Sequence, residues 1–319
     1  MRYVDIPGVK TVVSQMVMGA EDFFIPDESF RHMLLDQWLD RGGNAIDTGR
    51  IYGMKDGEPQ SERVLGRWMK MRGNREDVVV VTKCCHPWPE APKRVTAETM
   101  AADVEGSLEA LQTDHIDILL MHRDDPEVPV GKVMDWLNEH KEAGRVHAFG
   151  ASNWSLERFT AANEWAQANG KTGFSLVSNY AGLAEMGTPL WPGCRSVDGE
   201  WVGWLREGEV ANLSWAALSH GFFSGRYSPE KRDQEDMVGA FYAEANWARL
   251  ERAREYGEER GWSATQVALA WALNRDFKAL AAFWVGNFDE FREGMAMAEV
   301  EMSAKDAAWL RDGERAGRD

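Results

Sequence analysis

Eight short apolar runs alternate with amphipathic segments along nearly the whole chain, and this alternation limits the possible folds more than any other feature. The runs are Gln15–Gly19, Ala45–Asp47, Val78–Lys83, Ile116–Met121, His147–Ala151, Ser175–Ser178, Ala211–Trp215 and Ala279–Val285. Each is the length of a strand and too short for a buried helix. Between them Phe30, Met33, Leu34 and Trp38 recur at helical spacing, as do Val104, Leu108 and Leu111; segments 130–141 and 156–168 repeat the pattern. Gly42, Gly73, Gly144 and Gly170 follow these segments where a C-cap glycine is expected. Strands alternating with helices imply a parallel sheet covered by helices. Closure into an α/β (β/α)8 barrel, one domain over residues 1–319, is the economical solution; an open doubly wound sheet is the rival. Gly19–Ala20–Glu21–Asp22–Phe23 is not the Gly-x-Gly-x-x-Gly turn that a Rossmann site needs. The first 14 residues, turning at Pro7–Gly8, predict a β-hairpin ahead of the barrel, with extra helices near the C-terminus.

Catalytic groups of a barrel lie at the C-terminal ends of its strands. Asp47 and Lys83 end the second and third runs, His122 follows the fourth, and Tyr52 lies in the loop beyond Asp47. A lysine closing a fully apolar strand is expensive unless paired or used. An unperturbed tyrosine has a pKa of about 10. An ammonium beside it favours the phenolate, and a carboxylate keeps that ammonium charged.

Composition narrows the partners. With 36 basic and 52 acidic residues the net charge is −16, which excludes the basic footprint of a nucleic-acid binder and disfavours anionic membranes. Met1–Arg2–Tyr3–Val4–Asp5 has no apolar core of a secretory leader, so none is expected, and no apolar run approaches the roughly 20 residues of a membrane span. Three cysteines, Cys84, Cys85 and Cys194, make no disulfide framework, so a reducing cytoplasm is the expected compartment. Cys84–Cys85–His86 lacks zinc spacing and no second ligand pair follows it, so no metal is expected.

Asp47-x4-Tyr52–Gly53, Thr82–Lys83, His122–Arg123, Gly150–Ala151–Ser152–Asn153–Trp154 and Leu213–Gly225, with its Gly221-x3-Gly225–Arg226, together resemble the aldo-keto reductase superfamily from about Pro7 to about Leu310. The resemblance implies reduction of an aldehyde or ketone, with Tyr52 protonating the carbonyl oxygen while a nicotinamide delivers hydride. It implies that Asp47 and Lys83 tune Tyr52 and that His122 orients the substrate oxygen. It places Ser152, Asn153 and Tyr180 at the carboxamide and Trp215 under the nicotinamide ring. Leu218, Gly221 and Arg226 fall along the pyrophosphate, Gly286 and Asn287 at the adenosine end, and Gly19 and Ala20 beside the cofactor. Phe23, Trp88 and Arg123 join Tyr52 and His122 around the substrate. The implied cofactor is NADPH, with NADH open because Gly286–Asn287–Phe288–Asp289–Glu290–Phe291–Arg292 lacks the family's early basic residue and leaves Arg292, whose helix position points it away, as the cation for a 2′-phosphate.

Tyr180 stands where the family commonly has glutamine, and Arg50 adds a charge that either supports Lys83 or faces solvent. Trp38, Trp68 and Trp136 read as core. Trp88, Trp154, Trp191, Trp201, Trp204 and Trp215 lie in or near loops after strands; with Arg123, Asp124 and Asp125 they suit a sugar or sugar-derived carbonyl. Two other readings stay open: a Schiff-base aldolase acting through Lys83, and a nucleotide-sensing subunit with little turnover.

Overall fold

The structure is a computed structural model that describes residues 1–23, 28–55, 58–88 and 93–313. All eight apolar runs are strands: β1 (Met16–Gly19), β2 (Ala45–Asp47), β3 (Val79–Cys84), β4 (Ile116–Met121), β5 (Val146–Ser152), β6 (Leu176–Ser178), β7 (Ala211–Ser214) and β8 (Ala279–Phe283). They are parallel and pair in sequence order, and β8 pairs back onto β1, which closes the barrel and removes the open-sheet alternative. Outside it lie α1 (Glu28–Asp40), α2 (Gln60–Arg72), α3 (Ala97–Leu111), α4 (Val130–Glu142), α5 (Leu156–Ala168), α6 (Gly199–Glu207), α7 (Glu235–Phe241), α8 (Glu244–Glu258), α9 (Ala264–Leu273), α10 (Phe288–Met295) and α11 (Ala304–Asp312).

Side chains alternate in and out along each strand. One parity (Val17, Ala45, Val79, Val81, Ile118, Leu120, Ala148, Leu176, Ala211, Leu213, Leu280 and Ala282) fills the barrel interior. The predicted hairpin, Tyr3–Val4 paired with Val13–Ser14, adds Val4, Ile6 and Val13 to that cluster and plugs its N-terminal end. The opposite parity, with Met16, Met18, Ile46 and Val80, packs outward with Trp38 and Trp68 among the helices. Closure demands small residues at tight crossings: a Cβ on Gly150 would lie 2.0 Å from the Leu176 carbonyl oxygen.

Several helices start on a side-chain cap. Thr96, Ser155, Asp198 and Ser303 each accept a backbone N–H at the head of α3, α5, α6 and α11, and Ser263 forms a capping box with Gln266 at α9.

Candidate active site

The inward parity that buries Ala45, Val81 and Leu120 continues to Asp47, Lys83 and His122 at the C-terminal rim. Register brings them side by side: Asp47 is opposite Val81, and Lys83 is opposite Leu120, two residues short of His122. Lys83 is 2% exposed, and its Nζ donates to Asp47 Oδ1 at 2.6 Å and to the Thr48 carbonyl at 2.7 Å. Burial works against the ammonium, but Asp47 and Tyr52 outweigh it and hold the Lys83 pKa above its ordinary value. Burial likewise pushes the Asp47 carboxyl up against the pull of Lys83.

Tyr52 follows in the turn after β2, its ring centroid 4.7 Å from Lys83 Nζ. The expectation of a net shift toward the phenolate is corrected here. Burial pushes the Tyr52 phenol up to about 12; Lys83 draws it down, while Asp47 and Glu21 add to the rise. Desolvation is the largest of these effects, and the carboxylates of Asp47 and Glu21 oppose the pull of Lys83, so the net shift is upward. Tyr52 is thus fully protonated at neutral pH, the state a proton donor requires.

His122 is 5% exposed, with its ring centroid 5.8 Å from that of Tyr52. Burial lowers its pKa well below the ordinary value, helped by Lys83, His86 and Arg123, so the imidazole is neutral. A second imidazole, which sequence reading left in the metal question, stands 4.5 Å from it: His86, whose pKa burial lowers to about 4. Cys85 makes this possible. It adopts φ +60° directly after β3, and its N–H donates to Asp103 Oδ2 at 2.8 Å, an acceptor also held by Arg94. That turn sends His86 to the rim, while Cys84 packs outward with its Sγ 3.8 Å from Met121 Sδ. His86 Nδ1 and His122 Nδ1 are buried without a hydrogen-bond partner among the described residues. Its place three residues beyond Lys83 was the available signal.

On the other side of the rim, Asn153 adopts φ +62° and its Oδ1 accepts from Trp215 Nε1 at 3.1 Å and from the Arg195 N–H at 3.0 Å. Ser152 Oγ donates to the Ser178 carbonyl at 3.0 Å and accepts from Asn153 Nδ2 at 2.9 Å. Trp215, half-buried, has Tyr180 and Trp191 at centroid distances of 5.5 and 5.9 Å. The Tyr180 hydroxyl is committed to the Ala184 carbonyl and Ser219 Oγ, at 2.5 and 2.7 Å. After Trp215 the backbone is left-handed at Ala216, Ser219, His220 and Gly221, and the Ser219 and Gly221 N–H groups close turns onto the Ala216 and Leu218 carbonyls at 2.7 and 3.0 Å. Leu218 is half-buried within it, and Arg226 closes over it so tightly that a Cβ on Gly221 would lie 3.1 Å from the guanidinium.

The family model described as the Aldo/keto reductase family matches residues 15–312. The chain belongs to the aldo/keto reductase family. It is 24% identical over 320 residues to the uncharacterized oxidoreductase YrpG of Bacillus subtilis, covering 98% of this chain and 95% of that one. It is 33% identical over 251 residues to norsolorinic acid reductase B of Aspergillus parasiticus, covering 73% of this chain and 62% of that protein. A crystal structure of the thermostable aldo-keto reductase Tm1743, in complex with the inhibitor epalrestat, superposes with a TM-score of 0.74 at 19% identity, covering 98% of this chain and 99% of that one. This chain is therefore an oxidoreductase of the carbonyl-reducing type.

In this aldo/keto reductase the remaining site residues divide. Gly19 ends β1 opposite Asp47, and the N–H of Ala20, the next residue, donates to the Asp47 carbonyl at 2.9 Å. Trp88 is half-buried with its ring 5.7 Å from His86. Arg123 is half-buried and bridges to the Cys194 loop, with Nη1 on the His122 carbonyl at 2.8 Å and Nη2 on Cys194 Sγ at 3.4 Å. Gly286 donates its N–H to Glu290 Oε2 at 2.7 Å, and Asn287 caps α10.

Five residues sit differently from expectation. Phe23 is fully buried in the outer core beneath the Arg31 guanidinium, so it supports the rim from behind. Trp154 is fully buried, and Trp201 and Trp204 lie on α6 against Phe159, because the segment after β6 turns helical before β7. Arg50 turns away from Lys83 and sets its Nη1 3.7 Å from the buried Glu62, which also accepts from Thr82 Oγ1 at 2.7 Å.

Proposed function

We propose that this chain reduces an aldehyde or ketone with a nicotinamide nucleotide, Tyr52 supplying the proton. The buried Lys83–Asp47 pair under a neutral, protonated Tyr52 and a neutral His122 carries the reading. Tyr52 donates to the carbonyl oxygen as negative charge builds there, and the adjacent ammonium stabilises the phenolate left behind. His122 fixes the oxygen's orientation; a neutral imidazole donates from one nitrogen without competing for the proton.

The residues of the other rim fit a nicotinamide nucleotide. Trp215 offers a flat face pinned by Asn153, and Arg226, over the left-handed loop, offers a cation for a pyrophosphate. When bound, such a group supplies the hydride. The family implies NADPH. The α10 N-terminus nevertheless carries Asp289 and Glu290, and Arg292 is already paired to Asp289. Those carboxylates oppose a 2′-phosphate, which supports NADH as a serious competitor.

The sugar-type substrate rests on Trp88, Trp191 and Trp215 as flat walls with His86, His122 and Arg123 as polar groups. The Schiff-base reading needs a free amine, which the two hydrogen bonds of Lys83 oppose. Titration of NADPH and of NADH, followed by quenching of tryptophan fluorescence, tests the proposal. Saturable micromolar or tighter binding, with turnover on a carbonyl panel that includes norsolorinic acid, supports it. Absence of binding by both nucleotides overturns it, and binding without turnover favours a sensor.

A further inference from the structure

A second polar cluster lies at the far end of the barrel, on its outer face. His115 immediately precedes β4, Asp117 is its second residue, and His147 is the second residue of β5. Ile116 pairs with Val146 and Ile118 with Ala148, so Asp117 and His147 stand side by side with the parity that points away from the interior. His115 Nε2 and His147 Nδ1 each lie 3.8 Å from Asp117 Oδ1, and the three donor atoms all fall within 4.8 Å of one another. The two imidazoles are stacked, centroids 4.5 Å apart at 26°.

We infer that His115, Asp117 and His147 form a binding site for a divalent transition-metal ion of the zinc type, separate from the reductase centre. Two imidazole nitrogens and one carboxylate oxygen are a donor set for zinc or its neighbours and a poor one for magnesium or calcium. Bonds of about 2.0–2.2 Å in a tetrahedron put ligand atoms about 3.4 Å apart. The two 3.8 Å separations from Asp117 Oδ1 close with shifts of a few tenths of an ångström, while the histidine nitrogens, within 4.8 Å of each other on stacked rings, draw together as the rings tilt apart and bring both in-plane lone pairs onto the ion.

The surroundings prepare each donor. The His115 Nδ1–H donates to Asp114 Oδ1 at 2.8 Å, which fixes the tautomer and leaves the Nε2 lone pair facing Asp117. Asp117 Oδ2 is occupied by Arg75 Nη2 at 2.7 Å and the Val80 N–H at 2.9 Å, so Oδ1 is the oxygen that remains for an ion. His147 Nδ1 is buried and has no hydrogen-bond partner among the described residues. An orphaned buried nitrogen is costly unless something fills its lone pair. Lys10 and Arg75 place positive charge nearby, which weakens the site, while Asp114 offsets part of it. Three protein ligands leave a fourth position open. An ion there would clip β4 to β5 beneath the hairpin, whose Gly8 already packs on the His147 backbone.

Calorimetric titration of chelator-treated protein with zinc chloride tests this. One equivalent is expected to bind, binding is lost in His115→Asn and in His147→Asn, and Asp114→Asn weakens it about 10- to 100-fold. Tyr52→Phe binds zinc as the parent does, which separates this site from the reductase centre. In the unmutated protein, zinc is expected to shift the ring-nitrogen resonances of His115 and His147 and to leave those of His32 unmoved, a readout that survives if a variant fails to fold. Failure of the parent to take up zinc, or retention of full affinity in both folded histidine variants, overturns the assignment.

Discussion

Lys83 Nζ is held 2.6 Å from Asp47 Oδ1 with both side chains almost completely buried. A charge-assisted bond in such a site is strong only while both partners are present. Replacing Asp47 with Asn leaves a buried ammonium without its counter-charge. Asp47→Asn is expected to destabilise the fold by about 3–5 kcal/mol, read as a lowered urea midpoint, and to shift the turnover–pH profile. An unchanged midpoint would remove the pair from the stability of the barrel.

Tyr52→Phe keeps the ring against His122 and removes the proton. Turnover should fall by roughly 10²–10⁴-fold with nucleotide affinity nearly unchanged. Equal turnover in the variant would take Tyr52 out of the reaction.

His86 was not evident as a site residue until β3 and β4 were seen together. Its imidazole flanks His122 and Trp88 at the rim. His86→Phe is expected to raise KM for a polar carbonyl several-fold while nucleotide affinity holds. A fall in nucleotide affinity instead would place His86 on the cofactor side.

Acid sensitivity follows from His122. Its folded pKa lies well below 6.5, so the unfolded chain takes up a proton there first. Stability is full above the unfolded pKa and falls as pH drops toward the folded one, by at most about 1.4 kcal/mol per pH unit from this residue. Urea midpoints at pH 7 and pH 5 should show that loss, and His122→Asn should flatten it. Equal midpoints for the parent at the two pH values would contradict a neutral buried imidazole.

Glu290 accepts from the Gly286 N–H at the head of α10. Glu290→Gln removes one negative charge from the expected adenosine end and should improve NADPH over NADH about three- to tenfold, roughly one near-surface charge interaction. An unchanged ratio of dissociation constants would locate the 2′-position elsewhere.

Local patterning determined a great deal by itself. Runs of three to seven apolar residues between amphipathic segments specify strands and helices through periods of 2 and 3.6, and eight such units close. Asp47, Lys83 and His122 were legible because strand-end position and inward parity are both properties of the chain. Arg50 was ambiguous because its direction depends on Glu62, which α2 buries. The raised Tyr52 pKa could not be read from neighbours in sequence, since desolvation is set by what packs around the phenol. His86 reaches His122, and His147 reaches Asp117, only through parallel pairing of β3 with β4 and β4 with β5. Residues about thirty or more apart become neighbours by register, and register is decided by closure of the whole barrel.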